Sequence, residues 1–311
     1  MNKLLKLSAA SLLFSASALH GQIEINENLS VTGFLDMSIV NTDSDLDGSS
    51  ETSYNLDQAE IDFVFNFDEL TGQIDLNYLG DNAEDEFEFE AAFITYDFGD
   101  GNSLTAGKFL SYLGWETFEP TGLYQFSFAY DMNATIPGFF NGISYSYTSD
   151  AIDYGVSLVD SIYDADGSVS DSEFGIEAMV RFYPVEDVTV FLGYAHDSMD
   201  IGEDMSVINL WASYEVGGAT YAIEFNDYDF GTSEGNQWLV MGNWPLTDNA
   251  AITARISSDE DDILNESHTK YTISPSWVIN DNLLSLLEFS VTDYGAEGDV
   301  TSIAFETIFT F

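Results

Sequence analysis

The sequence predicts an all-β chain closed into a 16-stranded antiparallel transmembrane β-barrel, and three observations carry that expectation. Apolar and polar residues alternate with a period of two in segment after segment. The longest apolar run, Leu7 to Leu19, follows Lys3 and Lys6 and has small residues at Ala16, Ala18 and Gly21 around its end, the pattern of a secretory signal peptide over residues 1–21. It is too short to cross a bilayer as a helix, which takes about 20 apolar residues, and no later segment qualifies. An exported chain without a membrane helix is either soluble or a closed barrel, because only helices and barrels satisfy every backbone group in hydrocarbon. The third observation is the last segment. Ile303, Phe305, Thr307, Phe309 and Phe311 fall on one face, Ser302, Ala304, Glu306, Ile308 and Thr310 on the other, and the chain stops where the strand stops.

Composition narrows the class further. Of 311 residues 45% are hydrophobic and 15% aromatic, with 24 Phe, 17 Tyr and only 5 Pro, enough for one large barrel over residues 22–311. No Cys is present, so disulfides and thiolate metal sites are excluded. Six Lys and Arg face 55 Asp and Glu, for a net charge of −49. Attraction to nucleic acid or to an anionic membrane surface is thereby excluded. Two readings of the acidity coexist: solvation in a salty habitat, and a lumen that attracts cations.

Taken in order, the segments alternate as a barrel wall requires. Leu29, Val31, Gly33, Leu35, Met37 and Ile39 form the first apolar face. Ala59, Ile61, Phe63, Phe65 and Phe67 form the second, against Gln58, Glu60, Asp62 and Asn66. Gly72, Ile74, Leu76 and Tyr78 form the third, against Gln73, Asp75 and Asn77. Phe87, Phe89, Ala91 and Phe93 are expected on the fourth, against Glu86, Glu88 and Glu90. One face is crowded with carboxylates and the other is uninterrupted large apolar groups, as hydrocarbon outside and water inside would impose.

A fifth strand ends at Gly107-Lys108-Phe109, and the irregular stretch Leu110 to Gly138 follows, with Leu113-Gly114-Trp115-Glu116 and Pro120. These motifs resemble the OmpL-like β-barrel porins of Gram-negative outer membranes. The resemblance implies a third extracellular loop, about 110–138, folded back into the lumen. It also implies an Arg beside the Ser after the loop proline, where this chain reads Tyr124-Gln125-Phe126-Ser127-Phe128. The terminal Phe311 resembles the signal by which the barrel assembly machinery recognises outer-membrane barrels.

Strands then resume near 139–147, 151–160, 172–183, 187–196, 205–215, 219–228, 236–244, 249–257, 268–279, 282–291 and 300–311. Sixteen is the even number that single-chain bacterial barrels show, provided Tyr124 to Tyr130 is not a wall strand. Short links at Pro184–Asp187, Val216–Gly218, Pro245–Asn249 and Ile279–Asn282 are expected on the periplasmic side with both termini. Longer acidic links, Ser161–Asp171, Asp197–Asp204, Ser258–Glu266 and Thr292–Asp299, are expected outside. Tyr271 to Trp277, Asn282-Leu283 and Glu288-Phe289 resemble the penultimate hairpin of the same porins. Pro275 lacks a ladder donor, so a bulge is expected there.

Alternation assigns all four basic residues beyond the leader, Lys108, Arg181, Arg255 and Lys270, to the polar face. Opposite Glu116 and Glu119 they would set up a transverse field across a pore, or else neutralise nearby carboxylates. Tyr112, Trp115, Phe118, Tyr124, Phe126, Phe128 and Tyr130 offer either a stacking track for sugars or a wedge holding the loop to the wall. Asp43, Asp45 and Asp47 match the first half of a Ca²⁺ loop, but Tyr54 stands where the twelfth-position Glu belongs. Asp259-Glu260-Asp261-Asp262 and Glu84-Asp85-Glu86 are weaker candidates for divalent ions at outer loops. His196 beside Asp197, and His268, are the inventory for a rim hydrolase.

Together these readings imply an outer-membrane porin, not an enzyme, passing small hydrophilic solutes with a preference for cations. It would sit in outer-membrane lipid, need no cofactor, and by analogy with porins of this strand number form a homotrimer. The alternatives are a non-conducting barrel serving as adhesin or anchor, and the rim hydrolase.

Overall fold

The computed structural model describes residues 22–80, 87–116, 118–130, 135–163, 174–198 and 204–311. Residues 1–21, expected as the leader, and Glu84 to Glu86 lie outside the described residues. The strands are β1 (Ile23–Asn26), β2 (Leu29–Ser44), β3 (Ser50–Phe67), β4 (Leu70–Tyr78), β5 (Phe87–Gly99), β6 (Asn102–Leu110), β7 (Phe139–Thr148), β8 (Ile152–Val159) and β9 (Gly175–Val185). They continue as β10 (Val188–Asp197), β11 (Met205–Val216), β12 (Ala219–Asp229), β13 (Glu234–Thr247), β14 (Ala250–Asp261), β15 (Glu266–Asn280), β16 (Leu283–Asp293) and β17 (Asp299–Thr310).

Each strand from β2 to β17 pairs antiparallel with the next, and β17 returns to β2 with Thr310 opposite Phe34 and Val300 opposite Ser44. The ring is a closed barrel of 16 strands, so no edge is left unpaired. The seventeenth strand is not the aromatic stretch 124–130. It is β1, which pairs with β2 at Ile23–Val31 just beyond the place where β17 ends. The seam closes through Phe311 N–H to Gly33 O (3.0 Å) and Gly33 N–H to Phe311 O (2.9 Å). A Cβ on Gly33 would sit 2.2 Å from Glu60 O and 2.8 Å from the Phe311 ring, so only glycine lets the terminal ring lie on the seam.

The apolar row faces outward along every strand. Leu35, Met37 and Ile39 of β2, Ile208 and Leu210 of β11, and Ile303 and Phe305 of β17 are all exposed, while Asp36, Ser38, Asn209 and Glu306 between them are buried in the interior. This inverts the soluble pattern, as lipid outside and a polar filling inside require. The end that carries Leu29 and Phe311 has the short turns. There the strands run further than hydropathy suggests, with β9 continuing through Pro184 and β13 through Pro245, and the links shrink to pairs such as Glu186-Asp187 and Asp281-Asn282. Exposed aromatics Phe67, Tyr96, Phe98, Tyr154, Phe182, Tyr214, Tyr221, Trp277 and Phe309 ring this end, where amphipathic rings suit a bilayer interface.

Three expectations about faces change. On β5, Ile74 pairs with Ala92 and Leu76 with Phe89, so Glu90 and Ala91 together oppose Asp75 in a bulge. The extra residue reverses parity: Phe87 and Phe89 point out, but Ala91 is buried and Phe93 packs on the inner cluster around Phe109 and Phe140. No bulge occurs at Pro275, which stays in register with Ile252. The ladder to β16 instead skips from Ile273 to Ser276 without a shift, absorbing the missing donor as an unpaired step. Lys108 stands opposite Asn141 and Ala92, in the row of Leu104, Ala106 and Ile143, and therefore not on the polar face. Its long stem lets Nζ reach Phe89 O (2.9 Å) and Glu88 (3.8 Å).

Candidate functional site: the polar interior and the segment lying against it

The segment between β6 and β7 has no ladder of its own, so its backbone groups need partners from elsewhere. It contains one turn of 3-10 helix, Pro120–Gly122. Side chains of the inward row supply those partners, strand by strand. Glu177 of β9 accepts from Tyr112 N–H (3.0 Å) and from the Ser111 hydroxyl. Asn209 of β11 accepts from Gly114 N–H (3.1 Å), and Glu224 of β12 from Trp115 N–H (2.6 Å) and the Tyr130 hydroxyl (2.9 Å). Thr253 and Ser257 of β14 donate to Tyr124 O (2.9 Å) and Ala129 O (2.7 Å). Glu288 of β16 accepts from Ser127 N–H (3.0 Å) and Oγ–H (2.6 Å). Residues 111–116 and 124–130 thus lie along the polar face of the wall from β9 to β16.

Arg255 is the centre of this contact. It forms an ion pair with Glu116 and donates to Ser127 O (2.8 Å) and Phe128 O (3.0 Å). Glu116 in turn accepts from Gln125 Nε2 (2.7 Å) and Ala129 N–H (2.8 Å), which folds the segment back on itself. Lys270 Nζ adds a bond to Phe128 O (3.1 Å). The family resemblance places an arginine beside Ser127 within the loop itself. Here a guanidinium, that of Arg255, reaches the same serine from the wall. Arg181 lies apart, 3.8 Å from Asp153 and 5.7 Å from the rings of both Phe191 and Trp211, which stack at 5.0 Å.

Phe128 is exposed, and several other aromatics of the segment pack against the wall. Tyr112 donates or accepts at Ser144 Oγ (2.5 Å), Trp115 packs edge-on against Trp211 (5.3 Å) and bonds the Met241 sulfur (3.1 Å), and Tyr124 and Tyr130 pack on Ala129, Ala222 and Leu239. Of Tyr112, Trp115, Phe118, Tyr124 and Tyr130, Phe118 alone is exposed, edge-on to Phe139. No continuous stacking row forms among these five.

Glu119 differs from Glu116. It lies with Glu60 of β3 and Glu90 of β5, their nearest carboxylate oxygens all within 4.8 Å of one another. Two unit charges at 4.8 Å repel by about 3.5 kcal/mol at an effective dielectric near 20. Burial, and then the charge of Glu90, push the Glu119 carboxyl well above the usual carboxylate range. Asp62 and Asp75 line the same wall, and Asp36 and Glu306 a neighbouring stretch, all buried. Alternation in the sequence places these acids on the inward row, but nothing in it marks that the β5 bulge and the loop bring three of them together.

Other candidates separate. Asp43 sits in the ladder opposite Ser50 and Thr301, Asp45 N–H bonds Asp299 O (2.9 Å), and Asp47 accepts from Ser49 N–H (2.9 Å), so the three do not converge on a common point. Asp259 and Asp261 belong to β14 and are buried, the latter accepting from Ser233 Oγ (2.6 Å), rather than forming an outer loop. His196 and Asp197 point to opposite faces of β10: Asp197 accepts from Ser161 and Ile162, while His196 lies 3.9 Å from Asp204. His268 is buried against Tyr294 (5.1 Å). The hydrolase pairing of neighbours is therefore absent at His196, since consecutive strand residues face apart.

The fold is shared with solved outer-membrane proteins. OprB of Pseudomonas putida superposes with a TM-score of 0.71 at 9% identity, covering 91% of this chain and 94% of that one. The channel DcaP of Acinetobacter baumannii gives 0.67 at 12%, covering 94% and 100%. The anion-selective porin of Comamonas acidovorans gives 0.64 at 13%, covering 91% and 99%. Among curated protein sequences none matches. At such identities the structures speak for the fold alone, but residues 28–311 match the family model described as "Putative beta-barrel porin-2, OmpL-like". The chain belongs to this family of outer-membrane β-barrel porins.

Proposed function

We infer that the barrel passes small hydrophilic solutes passively and prefers cations, with the 110–138 segment as the inward-folded loop that sets the constriction. The observation that carries this is the uneven fate of charge inside. Arg255 and Lys270 are engaged with Glu116 and the Phe128 carbonyl, and Arg181 with Asp153, whereas Asp36, Glu60, Asp62, Asp75, Glu90 and Glu306 line the interior without a basic partner among the described ion pairs. A lumen lined by one sign of charge concentrates the opposite ion. Because an anion-selective porin shares the fold, selectivity must come from such side chains and not from the architecture.

In this reading residues 1–21 are removed on export and the short-turn end, with Leu29 and Phe311, is periplasmic. Phe311 on its seam is what the barrel assembly machinery recognises, and three barrels associate in the outer-membrane lipid. Planar-bilayer recording on refolded protein tests the channel: reversal potentials in a KCl gradient should report cation preference, and anion preference refutes it. The dense packing of residues 111–130 against half of the wall also favours a narrower runner-up, a non-conducting adhesin or anchor. Stepwise conductance separates the two, since a folded but silent barrel fits only the latter.

A further inference from the structure

Two carboxylates of the irregular segment, three positions apart, are held differently. Glu116 is held by Arg255, so its fastening cation is covalently part of the protein. The Glu119 end meets Glu60 and Glu90, carboxylate against carboxylate, with all three residues buried. Gln58 Nε2, 3.5 Å from Glu119 Oε2, and Asn77 Nδ2, 2.8 Å from Glu90 Oε1, are the neutral donors there.

A second feature points to a ligand. Asn77 is fully buried and turns its amide nitrogen to Glu90, and the oxygen on the same amide carbon has no hydrogen-bond partner. Glu60 Oε2 and Glu90 Oε2 are likewise buried without partners, although each residue is 2% exposed. Buried oxygens of this kind are ordinarily satisfied. All the unsatisfied atoms are hard oxygen acceptors, three of the four side chains are carboxylates, and Glu90 lies at the β5 bulge. That donor set suits a cation with flexible oxygen coordination and not a soft metal.

We propose that Glu60, Glu90 and Glu119, with the Asn77 amide oxygen, bind a divalent hard cation of the Ca²⁺ class, and that this ion fastens the Pro120 turn to the acidic wall. The ion does for Glu119 what Arg255 does for Glu116. In deepening the channel reading the proposal rests on it, because a fastened loop edge matters only where the loop borders a pore.

The test uses the mature chain refolded in detergent, cleared with EDTA and titrated with CaCl2 by calorimetry, with thermal unfolding followed in parallel. One site should saturate below millimolar Ca²⁺, ahead of diffuse binding to the surface acids, and Ca²⁺ should raise Tm. In E60Q/E90Q that site should weaken by about tenfold or more. In EDTA the same variant should melt no lower than the parent, since Gln keeps the volume and removes the repulsion. If E60Q/E90Q does not refold, E119Q, altered only in the irregular segment, is read the same way. Identical isotherms for parent and variant, or no saturable site below millimolar, overturn the ion site. Single-channel recording in KCl with EDTA keeps the two readings apart. A barrel that conducts yet lacks the Ca²⁺ site refutes the site alone, and one that binds Ca²⁺ yet never conducts refutes the channel alone.

Discussion

On the wall from β9 to β16, the carboxylates that meet the irregular segment accept from backbone amides or hydroxyls, and the guanidinium at its centre is matched by Glu116. On β3 to β5 the carboxylates face one another and Glu119, with orphaned oxygens at Glu60, Asp62, Asp75 and Glu90. The same chemical group therefore does two jobs in one lumen. Where donors surround it, a buried carboxylate organises backbone. Where they are few, as at Gln58, Gln73 and Asn77, crowded carboxyls favour a proton or a cation that relieves their repulsion.

The difference can be broken most forcefully at Arg255. Arg255→Met should leave Glu116 buried without its ion pair and free the Ser127 carbonyl, while Phe128 O keeps Lys270, at a cost of about 3–5 kcal/mol. Urea unfolding of the refolded barrel should show the loss, and single-channel records should become noisier or larger as the segment loosens. Next in size, Glu288→Ala removes the acceptor for both Ser127 groups and should destabilise by about 1–3 kcal/mol, read by the same unfolding midpoint. On the other wall, the paired change Asp62→Asn with Asp75→Asn should leave the unfolding midpoint unchanged or raised, while moving the KCl-gradient reversal potential toward zero. A fall in stability comparable to that of Arg255→Met would erase the distinction between the walls. Smallest of all, Lys108→Gln should cost about 1 kcal/mol or less and leave the reversal potential where it was, because the side chain leaves the wall on the outer row.

These walls also separate what could be read in advance from what could not. Strand count, the outward row of Phe, Leu and Ile, and the inward row of acids follow from alternation, since a period of two assigns faces without knowledge of any neighbour. Alternation fails where a residue is inserted or a side chain bends. Ala91 and Phe93 change face because one extra residue enters β5, a matter of register between two strands. Lys108 looks like a lumenal charge only if polarity implies the inner face, and its stem carries the charge from the outer row back to a carbonyl.

By itself, the order of residues determined a cysteine-free, acidic chain whose β segments have one oily and one polar side, because these properties depend on composition and on local period. Tertiary structure alone decided which groups each carboxylate meets. Glu116 and Glu119 are three positions apart and alike in the sequence, yet one meets Arg255 across the barrel and the other meets Glu60 and Glu90. The energy of a buried charge is set by what lies within a few ångströms, and only closure of the ring puts those strands there.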